Sequence, residues 1–150
     1  MIREYQPTDL NKIMEIWLQG NLQAHDFIVP EFFEQNYELV KSLIPMSKIY
    51  VQDLDGVKGF IGLTENYISG LFVEQNFRNK GTGKALIEKA KQYHNELFVH
   101  VYKKNTHAID FYLAQHFEII SESVNEETNE NELLMRCNVE HKVKIGKCAL

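Results

Sequence analysis

The chain has only two cysteines in 150 residues, Cys137 and Cys148, both near its C-terminal end. Two late thiols make no disulfide framework, and free cysteines in a reducing cytoplasm are the expectation. Long hydrophobic runs are missing as well. No stretch approaches the roughly 20 apolar residues that span a bilayer, and the opening Met-Ile-Arg-Glu-Tyr lacks the apolar core of a signal peptide. A cytoplasmic protein with no membrane partner is expected. Nor is there a basic excess, since 16 Lys and Arg stand against 21 Asp and Glu, a formal net charge of −5. Domains that bind nucleic acid usually present a basic face, so nucleic acid is not the expected partner. The histidines at 94, 100, 107 and 141 show no metal-ligand spacing and both cysteines sit late, so no metal is expected. Internal repeats and linkers are absent too.

What is present is ordinary globular composition, 44% hydrophobic and 25% charged. The length fits one domain over 1–150, with 138–150 as a C-terminal extension that resists assignment. Periodicity predicts the order βααβββαβαββ. A strand over 2–6 precedes a helix capped by Thr8 or Asp9, with Leu10, Ile13, Met14, Trp17 and Leu18 on one face and Gly20 at its end. The connector Ala24-His-Asp-Phe-Ile28 leads to a helix from Glu31, striped by Phe33, Tyr37, Val40 and Ile44 and stopped by Pro45. Strands over 49–52 and 57–64 flank an Asp55-Gly56 hairpin turn. After the turn at 65–67, a strand over 68–73 leads through a polar loop to a helix over 81–93. A strand over 97–102, a helix over 106–115 and an antiparallel pair over 117–122 and 133–137 close the chain. The polar loop of that pair, Asn125–Asn131, is expected to be solvated and mobile. Helices interleaved with hairpins imply an α/β (α+β) class with a mixed, mostly antiparallel sheet flanked by about four helices.

The chain is organised around residues 68–84, Ile-Ser-Gly-Leu-Phe-Val-Glu-Gln-Asn-Phe-Arg-Asn-Lys-Gly-Thr-Gly-Lys. A buried strand, a glycine-bearing turn and a helix N-terminus make an anion cradle. First-turn amides lack partners, and the helix dipole adds positive charge there. Gly81 and Gly83 let a ligand approach the backbone, and Arg78, Lys80 and Lys84 add full charges. A phosphate-bearing ligand is the natural occupant. It is not a P-loop, because Ala85 follows Lys84 and Arg78 stands where a glycine is needed. It is not a dinucleotide fingerprint either, since His100-Val-Tyr-Lys103 offers no acid.

The remaining pattern, Arg78-x-x-Gly81-x-Gly83 after a strand, resembles the acetyl-CoA site of the GNAT N-acetyltransferases. A second block strengthens the resemblance: Leu97-Phe-Val-His-Val-Tyr102, then Asn105-x-x-Ala108-x-x-Phe111-Tyr112. It looks like the family's fifth strand and tyrosine-bearing helix. The element order is also that of the GNAT fold. The resemblance implies an acetyl-CoA-dependent transfer of acetyl to a primary amine, without a covalent enzyme intermediate. The pyrophosphate is expected on the amides of Asn79, Lys80, Gly81, Thr82, Gly83 and Lys84, beside Arg78. The pantetheine arm is expected on the main chain of Leu71, Phe72 and Val73, with a Phe72 or Val73 amide facing the developing oxyanion. In this family the fourth strand splays from the fifth, often at a bulge, which Gly70 permits.

Tyr112 is expected to protonate the departing thiolate. A phenol of ordinary value about 10 is a fair donor to a thiolate whose thiol lies near 8.5; the bland reading is a core aromatic beside Phe111. Asn105 is open between cofactor contact and helix cap. The attacking amine must lose its proton to a general base or a water relay, which the sequence leaves open, and two groups are candidates for the base. Glu65 stands where many family members carry a glutamate, and its other reading is an exposed turn residue. His25 lies in a segment resembling small bacterial members of the YjaB/YiaC type, and its other reading is a packed loop histidine. Tyr67 and Tyr102 are read as walls of the cleft. At 116 the sequence departs from the family, with His116 where a glycine usually precedes phenylalanine and takes positive φ. The acceptor stays open between a small-molecule amine and a peptide or protein lysine, and a homodimer is common in the family. A non-catalytic acyl-CoA-binding module on the same fold is the alternative.

Overall fold

The computed structural model describes residues 1–139. Cys148 and the extension beyond Val139 lie outside the described residues. The elements are β1 (Ile2–Glu4), α1 (Leu10–Ala24), α2 (Pro30–Leu43), β2 (Lys48–Asp53), β3 (Val57–Thr64), β4 (Tyr67–Val73), α3 (Thr82–Lys91), β5 (Glu96–Tyr102), α4 (Thr106–Ala114), β6 (Glu118–Asn125) and β7 (Glu130–Asn138). Short 3-10 turns precede α1, follow α2 and follow β4. The order and the mixed sheet agree with the periodicity of the sequence. One seven-stranded sheet runs β1-β2-β3-β4-β5-β7-β6. Every pairing is antiparallel except β4 with β5.

Helices cover both faces, which explains why β3 reads as a near-continuous apolar run. On one face Phe60, Ile49, Val51 and Val57 bury against Ile13, Met14 and Ile16 of α1. On the other, Ile61 and Leu63 of β3 join Leu97, Val99 and Val101 of β5 beneath Leu86, Ile87 and Ala90 of α3 and Tyr112 of α4. The alternate residues of β5, Phe98, His100 and Tyr102, belong to neither buried cluster. That half of the sheet keeps an open face.

Three expectations are corrected. Gly20 does not end α1, which runs on to Ala24. Its role is close approach, because a Cβ there would stand 2.6 Å from Phe72 Cδ1. Asp9 does not cap α1 with its side chain. It accepts from both terminal nitrogens of Arg3 at 2.9 Å and from the Gln6 amide at 2.8 Å. That network ties the first strand to the turn before α1, and the Arg3 bond holds the Asp9 carboxyl below its ordinary value. The closing hairpin is longer than expected and its loop shorter. Strand pairing reaches Asn125 opposite Glu130. Asn125 Oδ1 accepts from the amides of Glu127 and Thr128, so the turn is hydrogen-bonded rather than loose.

Candidate active site

The strand β4 holds to β3 along its length but to β5 at two register positions, Tyr67 with Phe98 and Ile68 with Val99. Directly after them the β3 register slips between Gly62 and Leu63, so that Gly62 faces Gly70 and Leu63 faces Ile68. Ser69 is the extra residue of this bulge, next to the glycine expected to permit it. Beyond the bulge, Leu71, Phe72 and Val73 pair with Ile61, Phe60 and Gly59 on one side. Their other edge has no ladder to β5. The result is a V-shaped parting with an open main-chain edge, suited to an amide-bearing arm laid along it.

At the wide end stands the basic turn. Asn79 takes φ +61 and Gly81 φ +85. Gly81 is the residue before α3, and no side chain caps that helix. The Ala85 amide bonds the Gly81 carbonyl at 2.9 Å, which leaves the amides of Thr82, Gly83 and Lys84 without helical acceptors. A Cβ at Gly81 would meet nothing within 4 Å, so the space over this turn is open. Gly83 serves packing instead, since a Cβ there would press on the Phe111 ring at 3.1 Å. Lys80 and Lys84 are exposed. The half-buried Arg78 donates to the Val73 carbonyl at 3.0 Å and to Gln23 Oε1 at 2.9 Å. Cationic side chains, orphan amides and open space together fit a phosphate-bearing ligand.

Tyr112 extends from α4 into the core cluster that holds Ile68 of β4 and Val99 of β5. It is buried, with its ring edge-on to Phe111 and Phe117 at 5.2 and 5.1 Å. Burial raises its phenol well above the ordinary value, and the charge of Tyr67 adds to the effect. Such a phenol stays protonated.

The other sequence candidates occupy different settings. Asn105 is the N-cap of α4, its Oδ1 accepting from the Ala108 amide at 3.2 Å. Its Nδ2 lies 3.1 Å from His25 Nε2. His25 Nδ1 in turn lies 3.0 Å from Asn21 Oδ1. An amide N–H donates and an amide oxygen accepts, so His25 carries its proton on Nδ1 and both ring nitrogens are engaged. The ring stacks on Phe33 and meets Phe27 and Tyr102 edge-on. Burial lowers it from 6.5 to about 4. Glu65 is exposed in the turn between β3 and β4, with φ +54.

One contact at the narrow end went unread in the sequence. Tyr67 Oη lies 2.8 Å from His100 Nδ1, with the rings 5.6 Å apart. Two residues on different strands, 33 positions apart, carry no local signal. Among the described residues, no group of three or more His, Cys, Asp and Glu could hold a metal ion. A cavity of about 550 Å³ lies elsewhere, against β1, β2 and the end of α3, and contains none of the motif residues. Its charges are met internally: Arg3 pairs with Asp9 and Asp53, Lys48 with Glu4, and Lys89 lies over the Tyr50 and Tyr93 rings. The parted strands are the better site.

Comparison with known proteins agrees. Residues 11–117 match the model of the acetyltransferase (GNAT) family. The peptidyl-lysine N-acetyltransferase YiaC of Escherichia coli strain K12 is 34% identical over 131 residues, which span 85% of this chain and 90% of that protein. The solution structure of apo-form YjaB from Escherichia coli is similar at a TM-score of 0.80 and 26% identity, over 91% of this chain and 95% of that one. An acetyltransferase of Bacillus anthracis strain Ames, solved with acetyl coenzyme A, is similar at a TM-score of 0.56 and 25% identity, over 61% of this chain and 62% of that one. The chain belongs to the GNAT acetyltransferase family, and it moves an acetyl group from acetyl-CoA to a primary amine.

Proposed function

We propose that the acceptor is the ε-amine of a lysine in a peptide or protein, acetylated in the cytoplasm. The observation that carries this is the face of β4 and β5 beside the parting, where His100 is exposed and Tyr67 half-buried, with His25 and Phe27 walling it at Tyr102. A face of that kind admits a side chain presented by a larger molecule. Glu132, on β7 opposite Tyr102, supplies negative charge that is felt at both Tyr67 and Tyr102. An ammonium group is drawn to it. The similarity to a protein described as a peptidyl-lysine N-acetyltransferase supports the same reading.

Bound acetyl-CoA supplies a thioester, whose acetyl carbon is open to attack by an uncharged amine. Arg78, Lys80 and Lys84, with the amides of Asn79–Lys84, hold its phosphates. The main-chain edge of Leu71, Phe72 and Val73 aligns the pantetheine arm, and a Phe72 or Val73 amide donates to the oxygen that gains charge. Tyr112 donates to the sulfur as the carbon–sulfur bond breaks. Burial holds the proton on its oxygen until the bond breaks, and the same burial penalises a bare thiolate, so the proton passes to sulfur. Asn105, spent on capping α4 and on His25, holds the helix that carries Tyr112 and stands beside the cofactor rather than on it. We assign His25 to that positioning role, since a ring with both nitrogens engaged and its basicity lowered is a poor base. Glu65 lies outside the parting and takes no proton in this scheme.

The test is thiol release from acetyl-CoA over a panel of lysine peptides with blocked N-termini, polyamines and aminoglycosides. Release with lysine peptides is expected, and Tyr112→Phe should lower turnover at least tenfold while leaving CoA affinity unchanged. Release with small amines alone would remove the peptidyl acceptor. An unaffected Tyr112→Phe protein would remove the phenol from its role.

A further inference from the structure

The mechanism above leaves unassigned the group that takes the proton from the acceptor amine. A lysine amine is cationic near neutral pH, and it cannot attack until it loses a proton. We propose that Tyr67 and His100 form the route by which that proton leaves: Tyr67 Oη takes it from the amine while passing its own proton to His100 Nδ1. This rests on the reading that a primary amine is acetylated in the parting between β4 and β5.

Four observations point to this pair. Tyr67 and Ile68 are the last residues of β4 that pair with β5, and His100 follows Val99, the last residue of β5 that pairs with β4. The two side chains therefore meet at the apex of the V, where the strands begin to separate. They are joined at 2.8 Å, a normal O–H···N distance. The pair runs outward, because Tyr67 is half-buried and His100 is exposed. A proton accepted inside thus has a path to solvent. Finally, the charge of Tyr67 is felt at Tyr112, so the two phenols are electrostatically coupled. Burial raises Tyr67, which keeps its proton until a partner can receive it.

The alternatives fare worse on the same geometry. His25 has both nitrogens engaged, and Glu65 lies in the exposed turn before β4. Glu132 on β7 is close enough for its charge to be felt at Tyr67. Ser69, at the bulge, is joined to Thr64 of β3 at 3.0 Å and is uncharged. Leu134 faces His100 from β7, and Tyr102 is the next residue of β5 on that face. Arg136, across from Phe98, is held by Glu96 and Glu118.

The protons balance. The ammonium nitrogen gives up two in becoming an amide. One passes through Tyr67 to His100 Nδ1, the imidazolium releases a proton from Nε2 to solvent, and exchange of the exposed ring with water restores the Nε2-protonated form before the next turnover. The nitrogen lone pair forms the carbon–nitrogen bond, and the carbon–sulfur pair leaves on sulfur. The second proton from nitrogen makes good the one that Tyr112 supplies to that sulfur.

The experiment compares the unaltered protein with Tyr67→Phe, His100→Gln and the double variant, on a blocked lysine peptide across pH 6 to 9. Each single variant is expected to lose about 10²-fold in kcat/KM near pH 7. Part of that loss should be recovered at high pH, where the amine deprotonates unaided. The double variant should be no slower than the slower single one, as for groups acting in one chain. CoA affinity should not move. Independently of turnover, long-range proton–nitrogen spectra of the free protein should show neutral His100 with Nδ1 bare and Nε2 protonated, a preference lost in Tyr67→Phe. A His100→Gln protein with the parental rate and pH profile would overturn the route, as would an Nδ1 that carries the proton. In both cases turnover by the parent leaves the acetyltransferase reading intact. A parent that releases no thiol with any amine would overturn both.

Discussion

The imidazole of His25 sits between Asn21 and Asn105, and its surroundings have removed the property that made it look like a base. Burial lowers it from 6.5 to about 4, which makes the fold sensitive to acid. Above pH 6.5 the residue is neutral folded and unfolded, and it contributes no pH dependence. Between 6.5 and about 4 the unfolded chain takes up a proton that the folded chain refuses, so stability falls as pH falls. The full effect is of order 3 kcal/mol. Melting curves from pH 7.5 to 5 should show a declining Tm that flattens in His25→Gln; an equal decline in both would mean that His25 is not the group responsible. The same scale explains Gly20. Its spacing in a helical pattern reads as a stop, but the space it vacates is filled by Phe72.

Elements are fixed at their ends. The helix α4 begins at Asn105, whose side chain caps it, and closes with His116 at φ +71. The Phe117 amide bonds the Tyr112 carbonyl and the His116 amide bonds the Leu113 carbonyl, with the Tyr112 and Phe117 rings in contact. This is a Schellman closure with its hydrophobic clasp, built on a residue that pays for left-handed backbone. Replacing His116 by glycine should relieve about 1 kcal/mol of strain, partly offset by the entropy of a freer unfolded chain. A rise in Tm of roughly 1–2 °C in thermal melts would agree, and a fall would mean that the imidazole makes a contact worth more than the strain. At the start of α3 the logic runs in reverse. Gly81→Ala would add a methyl group to the open space over the cradle and strain a φ of +85. CoA titration is expected to show at least tenfold weaker binding; unchanged affinity would put the phosphates elsewhere.

For the whole molecule, the decisive fact is how narrowly the two halves of the sheet are joined. Two register positions link β4 to β5, and beyond them the strands part. A ligand lying on the free edge of β4 acts as a brace across the gap. At acetyl-CoA one hundred times its Kd, mass action adds about 2.7 kcal/mol, which for a protein of this size corresponds to a Tm rise of roughly 5–10 °C. Hydrogen exchange should localise the gain to the amides of Leu71–Val73 and Thr82–Lys84, with β1 and β2 little changed. Protection confined to the β1–β2 side would point instead to the cavity walled by Tyr50 and Tyr93.

What the sequence determined by itself was local. Alternating and helical periodicities set the order of elements, because burying an apolar face needs only the residues of one element to declare it. Arg78, Gly81 and Gly83 marked the cradle, since a helix N-terminus beside glycines has a fixed physical meaning wherever it occurs. Positive φ at 116 was legible from one missing glycine. The tertiary structure decided what depends on residues brought together from afar. It set the length of the closing hairpin, where Asn125 organises the turn, and it gave Gly20 to Phe72. It joined His25 to Asn105 across 80 positions, turning an apparent base into a neutral strut. It also set Tyr67 against His100 at the point where two strands part. Proton transfer depends on distances of about 3 Å, and no pattern along one chain encodes such a distance between strands.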